Sequence, residues 1–381
     1  MRIRLALILL FWFPAAGSQT GVAVDRETVD AIDGALRALT AAPDSESARV
    51  SLASLYLKAG QNQTAIQTLR PYLQSHPDAP KALRLLAVAY LRNDEYLEAK
   101  DAAEGALRFG TRDSATVEVL AMAHLGLRAD GAAMALFQEA VKLDPNSMEA
   151  NLQLGLLYTK QHQNLGEAIR LLKKARVLQP NLAGTDAALG SAFLASGDPR
   201  QAADALETAV RLDPDIAEPY YLLGTAYRQL HDDGKADAAL AAFQSRKKAE
   251  ADQRALEMRS RADYEAGVNL LSNTDQLDKA YELLAKAVSE RPTFDPGYYR
   301  MAQVSYLKGD LRSALASVRE ALRLNPLEPE YYYVLARCLE DTDPGAALDA
   351  IERAVGLRPG VPDFEDLRKE LRIKAAGKAP A

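Results

Sequence analysis

Alanine returns through most of this chain at a step of about 34 residues. It stands at Ala31, Ala65, Ala99, Ala133, Ala168, Ala202, Ala236, Ala280, Ala314 and Ala347, at intervals of 34, 34, 34, 35, 34, 34, 44, 34 and 33. A second ladder of small residues keeps register with it, through Ala53, Ala87, Ala121, Gly155, Gly190, Gly224, Gly267, Ala302 and Ala336. A larger apolar residue precedes most of these, as Leu189 and Leu223 do, with Ala266 before Gly267 the exception. Prolines close most units, at Pro43, Pro77, Pro145, Pro180, Pro214, Pro292, Pro326 and Pro359. A fixed period of this length marks an array of units, none of which can cover its own apolar face without a copy on either side.

Residues 181–214 show the unit most plainly. Ala187, Leu189, Gly190, Phe193 and Leu194 make one amphipathic helix, residues 196–199 a turn, and Ala202, Ala203, Leu206, Ala209 and Val210 a second helix that Pro214 closes. Glycine inside a helix costs roughly 0.5–1 kcal/mol against alanine, so glycine recurring at one repeat position implies an offsetting gain, namely room for the partner helix. Larger residues, among them Tyr56, Phe137, Phe193 and Tyr227, are expected to fill the space between neighbouring hairpins. A chain of 381 residues would ordinarily divide into two or three domains. A solenoid instead grows by addition, and one elongated array is expected.

The period, with the pattern L-G/A-x2-Y, then A-x3-L/F-x2-A, then P, resembles the tetratricopeptide repeat family, most clearly over residues 149–180, 181–214 and 217–243. The family's tryptophan early in the first helix is missing; Tyr220, Tyr298 and Tyr332 take its place in three units and smaller or polar residues in others. Thr111 and Lys248 stand where a closing proline would be expected. The resemblance implies an all-α fold, an α-solenoid of about nine helix-turn-helix repeats in a right-handed superhelix. First helices would line a concave groove, and each repeat would touch only its neighbours. The expected divisions are a signal peptide at 1–18, an N-terminal capping half-repeat at 19–45, six repeats at 46–248, a charged helical extension at 249–259, three repeats at 260–359, and a C-terminal capping helix and tail at 360–381. The extension lies in the 44-residue step and reads either as a solvated overlong helix or as a hinge or docking arm.

Arg2 and Arg4 precede an apolar run at residues 5–13, then Pro14, Ala15, Ala16, Gly17 and Ser18, the pattern of a secretory signal peptide. The run is too short to span a bilayer, which takes about 20 apolar residues. Export to a periplasmic or extracellular location is expected. The net charge of −6 becomes −8 once Arg2 and Arg4 leave with that segment, so neither nucleic acid nor an anionic membrane is an expected partner. Trp12 is the only tryptophan and Cys338 the only cysteine, which rules out an internal disulfide; Cys338 is expected to be a buried, inert thiol.

No catalytic constellation emerges. His76, His124, His162 and His231 fall in different repeats, mostly at turns, without the spacing of a metal-ligand set, and no phosphate-cradling glycine loop is present. An enzyme, a cofactor and a metal are all unexpected. Asp232 with Asp233 and Asp341 with Asp343 read as turn chemistry. Asn62-Gln63-Thr64 is a glycosylation sequon read as lying in a turn.

One first-helix position should face the groove throughout, and it holds Val50, Arg84, Glu118, Leu152, Ala187, Tyr221, Tyr264, Tyr299 and Tyr333. The four tyrosines could line a wall for a peptide, with Arg228, Arg300 and Arg337 nearby to hold a carboxylate; packing between repeats is the other reading. The family's binders of chaperone tails carry lysine and asparagine at set groove positions. Val50 with Ser54, Arg84 with Val88, and Glu118 with Met122 do not match them. The expected function is a non-catalytic protein-protein interaction scaffold that binds peptide segments or helices of other proteins in cell-envelope or secretion complex assembly. The alternative is a carbohydrate-handling accessory subunit of a separate envelope enzyme.

Overall fold

The structure, a computed structural model, describes residues 24–377. The expected signal peptide at 1–18 lies outside the described residues. Among the described residues there are nineteen α-helices and no strand. They are α1 (Arg26–Ala41), α2 (Glu46–Lys58), α3 (Asn62–Ser75), α4 (Pro80–Arg92), α5 (Tyr96–Phe109), α6 (Ser114–Gly126), α7 (Asp130–Leu143), α8 (Met148–Lys160), α9 (Leu165–Leu178) and α10 (Ala183–Ala195). There follow α11 (Pro199–Leu212), α12 (Glu218–Gln229), α13 (Asp233–Asn269), α14 (Leu277–Glu290), α15 (Asp295–Leu307), α16 (Leu311–Leu324), α17 (Pro329–Leu339), α18 (Pro344–Leu357) and α19 (Pro362–Gly377). The fold is all-α and solenoidal in kind, with helices packed in sequence as hairpins such as α4–α5, α10–α11 and α17–α18.

The close approach foreseen for the glycine ladder is present. A Cβ built on Gly155, Gly190, Gly224 or Gly267 would lie 2.6, 2.3, 2.8 or 2.9 Å from Cγ of Leu172, Leu206, Leu240 or Leu284, respectively. Each of these leucines belongs to the second helix of the hairpin and occupies the space a methyl group would need. Seven helix starts are capped by a side chain: Asp25, Ser45, Asp113, Ser147, Asp198, Asp310 and Asp343 each accept a hydrogen bond from the backbone N–H three residues on. In seven of the hairpin turns a residue takes positive φ, namely Gly60, Asp94, Arg128, His162, Gly197, His231 and Gly309, which gives two of the four histidines a place in the turn backbone.

The missing tryptophan has a polar substitute. Arg49 donates to the carbonyl of Pro43 at 2.7 Å, Asn151 to that of Pro145 at 2.9 Å, Tyr220 to that of Pro214 at 3.3 Å and Tyr332 to that of Pro326 at 3.1 Å. In these four units the residue at the family's tryptophan position ties down the closing proline six residues earlier. The charged stretch in the 44-residue step is part of α13, one uninterrupted helix of 37 residues.

The chain forms two compact units. One is Ala65–Gln253; its core runs through Val117, Phe137, Leu154, Leu171, Leu189, Leu206 and Tyr227. The other joins the residues up to Thr64 with those from Arg254 on, around Leu284, Val304, Tyr299, Tyr331, Val318, Ile351 and Phe364. In this second unit the expectation that repeats touch only their neighbours fails. Gln61 donates to Asn325 at 3.2 Å across 264 residues of sequence, and Arg353 pairs with Asp33 across 320. Long polar side chains make these contacts, so no apolar periodicity announces them.

Candidate partner-binding surface

Within the unit Ala65–Gln253, the first helices α8, α10 and α12 present matching rows. Leu152, Ala187 and Tyr221 stand one repeat apart, and Leu156, Ser191 and Thr225 follow a helical turn later. Tyr221 is 47% exposed and Leu156 36%, and the other four are half-buried, as is Leu194. The Tyr221 ring leans on Phe243 with centroids 5.5 Å apart. Arg228, two turns beyond Tyr221, is exposed; the Asp237 carboxylate lies 3.9 Å away, a loose pair that leaves the guanidinium accessible. Earlier in the same unit the groove position is polar and engaged, with Arg84 3.3 Å from Asp113 and Glu118 accepting from the Ser114 hydroxyl at 2.7 Å.

The remaining five candidates lie in the other unit and are not a free wall. Tyr299 and Tyr333 are buried, and Tyr264 is half-buried. Each meets an aromatic ring about thirty residues on: Tyr264 edge-on to Phe294 at 5.0 Å, Tyr299 on Tyr331 at 4.9 Å, and Tyr333 on Phe364 at 5.4 Å. The Tyr299 hydroxyl accepts from Gln303 at 2.9 Å, and burial pushes its pKa upward. Arg300 is 6% exposed, donates to Gln303 at 2.7 Å and covers the Tyr299 ring. Arg337 lies over Tyr333 and donates to Glu340 at 3.0 Å. In this unit the expected wall tyrosines Tyr264, Tyr299 and Tyr333 each place a ring against an aromatic of the following repeat. Of the seven, Tyr221 and Arg228 are the two exposed residues.

Two smaller expectations also meet the structure. Asn62 is 9% exposed at the first residue of α3, so the sequon is not presented to solvent. Cys338 is 2% exposed and burial pushes its thiol up to about 12, which keeps it unreactive. Among the described residues no group of three or more His, Cys, Asp or Glu side chains could hold a metal ion, and no helix is long and apolar enough to cross a membrane.

A buried polar cluster in the second unit has no counterpart in the repeat pattern. Asp295, 1% exposed, accepts from Asn325 at 3.1 Å and from the Tyr331 hydroxyl at 2.9 Å. Glu328 and Glu330, 3% and 1% exposed, both face Arg358. Acidic residues at a helix start are ordinary, and nothing local distinguishes these.

A family model described as tetratricopeptide repeat matches residues 50–114, 119–183, 187–252 and 299–362. Among curated relatives, the BBSome complex member BBS4 homolog of Drosophila melanogaster is 30% identical over 192 residues, half of this chain. Cellulose synthase operon protein C of Pseudomonas fluorescens (strain SBW25) is 23% identical over 379 residues, 94% of this chain. The chain spans 39% and 28%, respectively, of the length of these two relatives. Among solved structures, YrrB, described as a TPR protein with an unusual peptide-binding site, is 22% identical with a TM-score of 0.40, covering 50% of this chain and 97% of its own. PilW, described as a widely conserved type IV pilus biogenesis factor, is 21% identical with a TM-score of 0.46, covering 52% of this chain and 91% of its own.

Proposed function

Since the chain belongs to the tetratricopeptide repeat family, we propose that it is a non-catalytic scaffold that holds segments of other proteins on the first-helix face of α8, α10 and α12. The observation that carries this reading is the exposure of Tyr221 and Leu156 on one face, beside half-buried Leu152, Ala187 and Leu194 and close to an accessible Arg228. A rigid aromatic ring and adjoining aliphatic side chains give a partner apolar area at little entropic cost, and the guanidinium can pair with a carboxylate. An amphipathic helix or an extended segment with an acidic residue fits such a surface. The signal-like first residues favour export, and the role proposed is assembly of a cell-envelope or secretion complex.

A photo-crosslinking residue placed at Tyr221 tests this in extracts of the native source. The expected result is capture of a discrete protein partner, which Leu156→Ser and Arg228→Ala weaken while the fold is kept. Capture at the same level from a crosslinker placed at exposed Lys173 would overturn it.

A second reading is favoured by one observation, the alignment of cellulose synthase operon protein C along 94% of this chain. In that reading the protein is a carbohydrate-handling accessory subunit of a separate envelope enzyme, with Tyr221 as a sugar platform. Retention of purified chain on polysaccharide, lost in Tyr221→Ala, would replace the protein-scaffold reading with this one.

A further inference from the structure

The unit that joins both ends of the described chain is bridged by polar groups. On one side stand Asp33 of α1, Tyr56 of α2 and Gln61 just beyond it; on the other stand Asn325, Arg353 and Arg358. A crevice of about 430 Å³ lies between α1 and α18, lined by Asp33, Leu36, Arg37, Thr40, Arg353 and Gly356. The hairpin α1–α2 thus meets the last repeats through these side-chain tips, with a crevice beside them.

Behind this contact lies the acidic cluster. We propose that Glu328 and Glu330 share one proton and that this proton holds the clasp shut, so that the hairpin α1–α2 loosens from the last repeats when the proton leaves. Glu328 and Glu330 are almost fully buried, and their carboxyls lie within hydrogen-bonding reach of each other. One oxygen of Glu330, Oε2, has no hydrogen-bond donor, although buried carboxylate oxygens nearly always find one. A proton on Glu328 would supply it. The groups facing the pair are Asp295 at the start of α15, a third buried carboxylate; Arg358 just after α18, which pairs with both glutamates; and the Tyr331 hydroxyl, which is donated to Asp295. Tyr299 lies close by, with Arg300 turned to Gln303 and the face of that ring.

The route from the pair to the hairpin is short. Asp295 holds Asn325, whose side-chain oxygen accepts from Gln61; the Arg358 charge also acts on Tyr56. Loss of the proton would set two buried carboxylates, Glu328 and Glu330, against each other beside Arg358, and the turn that carries Asn325 and Glu328 would move apart from Gln61. Burial raises the Glu328 pKa above the usual glutamate value of 4.5, with the Glu330 carboxyl raising it further. The stabilisation is therefore complete below that value and is lost as pH rises through the raised pKa.

Hydrogen exchange of the full chain, corrected for intrinsic rates, tests the clasp from mildly acidic to mildly alkaline pH. Peptides from α1 and α2 should lose protection as pH rises, by up to about tenfold per pH unit for one released proton, while peptides from α8 to α11 do not. Glu328→Gln, which keeps a neutral donor, should make the hairpin's protection independent of pH. A flat wild-type profile, or an unchanged slope in Glu328→Gln, would overturn the proposal. The infrared spectrum of the wild type gives a reading that needs no variant to fold: a carboxylic acid C=O band at neutral pH supports the shared proton, and its absence rules it out.

Discussion

The ring of Tyr299 rests on that of Tyr331 one repeat further along, with centroids 4.9 Å apart and planes inclined by 32°. Both side chains are buried, at 1% and 0% exposure. The same relation joins Tyr333 to Phe364, so an aromatic at the groove position can serve the stack and leave nothing for a ligand. At Tyr221 the contact is instead with Phe243 in the second helix of its own hairpin, and nearly half of the tyrosine stays in solvent.

These two kinds of tyrosine should separate cleanly in denaturation. Tyr299→Ala removes a buried ring and is expected to cost about 3–5 kcal/mol, as large aromatic deletions in cores do. Tyr221→Ala is expected to stay within about 0.5 kcal/mol of wild type. Urea unfolding followed by circular dichroism measures both, and equal losses would contradict the assignment of Tyr221 to an exposed face.

The glycine ladder predicts opposite outcomes for one substitution at two sites. At Gly190 a methyl group would sit 2.3 Å from Cγ of Leu206, so Gly190→Ala is expected to destabilise by about 1–3 kcal/mol. Combining it with Leu206→Ala should cost less than the two changes separately, since the methyl then fills vacated space. Gly166, in the first turn of α9, has no atom within 4 Å of that point, and Gly166→Ala is expected to stabilise by about 0.5–1 kcal/mol. Thermal melts of the four variants check the signs.

What could be read from sequence and what could not follow from the range of the contacts involved. Gly190 and Leu206 face each other inside one hairpin, where the period fixes who meets whom. The burial of Tyr299 depends on Tyr331, 32 residues on, and both an open and a stacked tyrosine satisfy the same periodic pattern. The pairing of Gln61 with Asn325 lies further still from any local rule, being made by two polar tips at the ends of different hairpins. The position of Tyr221 was legible as a register position, but its exposure was not, because exposure is set by what the neighbouring repeat supplies.

The turn inside the hairpins offers a stability gain. Arg128 holds a backbone φ of 60°, where Gly60, Gly197 and Gly309 stand in other repeats. A side chain with a Cβ is strained there by roughly 1–2 kcal/mol, and glycine gives back part of the relief through its freer unfolded state. Arg128→Gly is therefore expected to stabilise by about 1 kcal/mol, seen as a rise in melting temperature, whereas Gly197→Arg should lower it by a similar amount.

Tyr56 ties the hairpin contact to alkaline pH. Its side chain is 3% exposed, and burial pushes its pKa up to about 12, a rise that Asp33 reinforces and that Arg353 and Arg358 oppose. A folded-state pKa raised above the unfolded value near 10 means that the neutral phenol favours the folded chain. That contribution is complete below pH 10 and is lost as pH rises toward about 12. Melting temperature measured along an alkaline series should therefore fall over this interval for the wild type. In Tyr56→Phe the ring is kept and the titrating hydroxyl removed, so the fall should be shallower, with the difference confined to the upper end of the series. If both chains fall in parallel, ionisation of Tyr56 is not what loosens the contact, and other buried phenols such as Tyr331 must account for the loss.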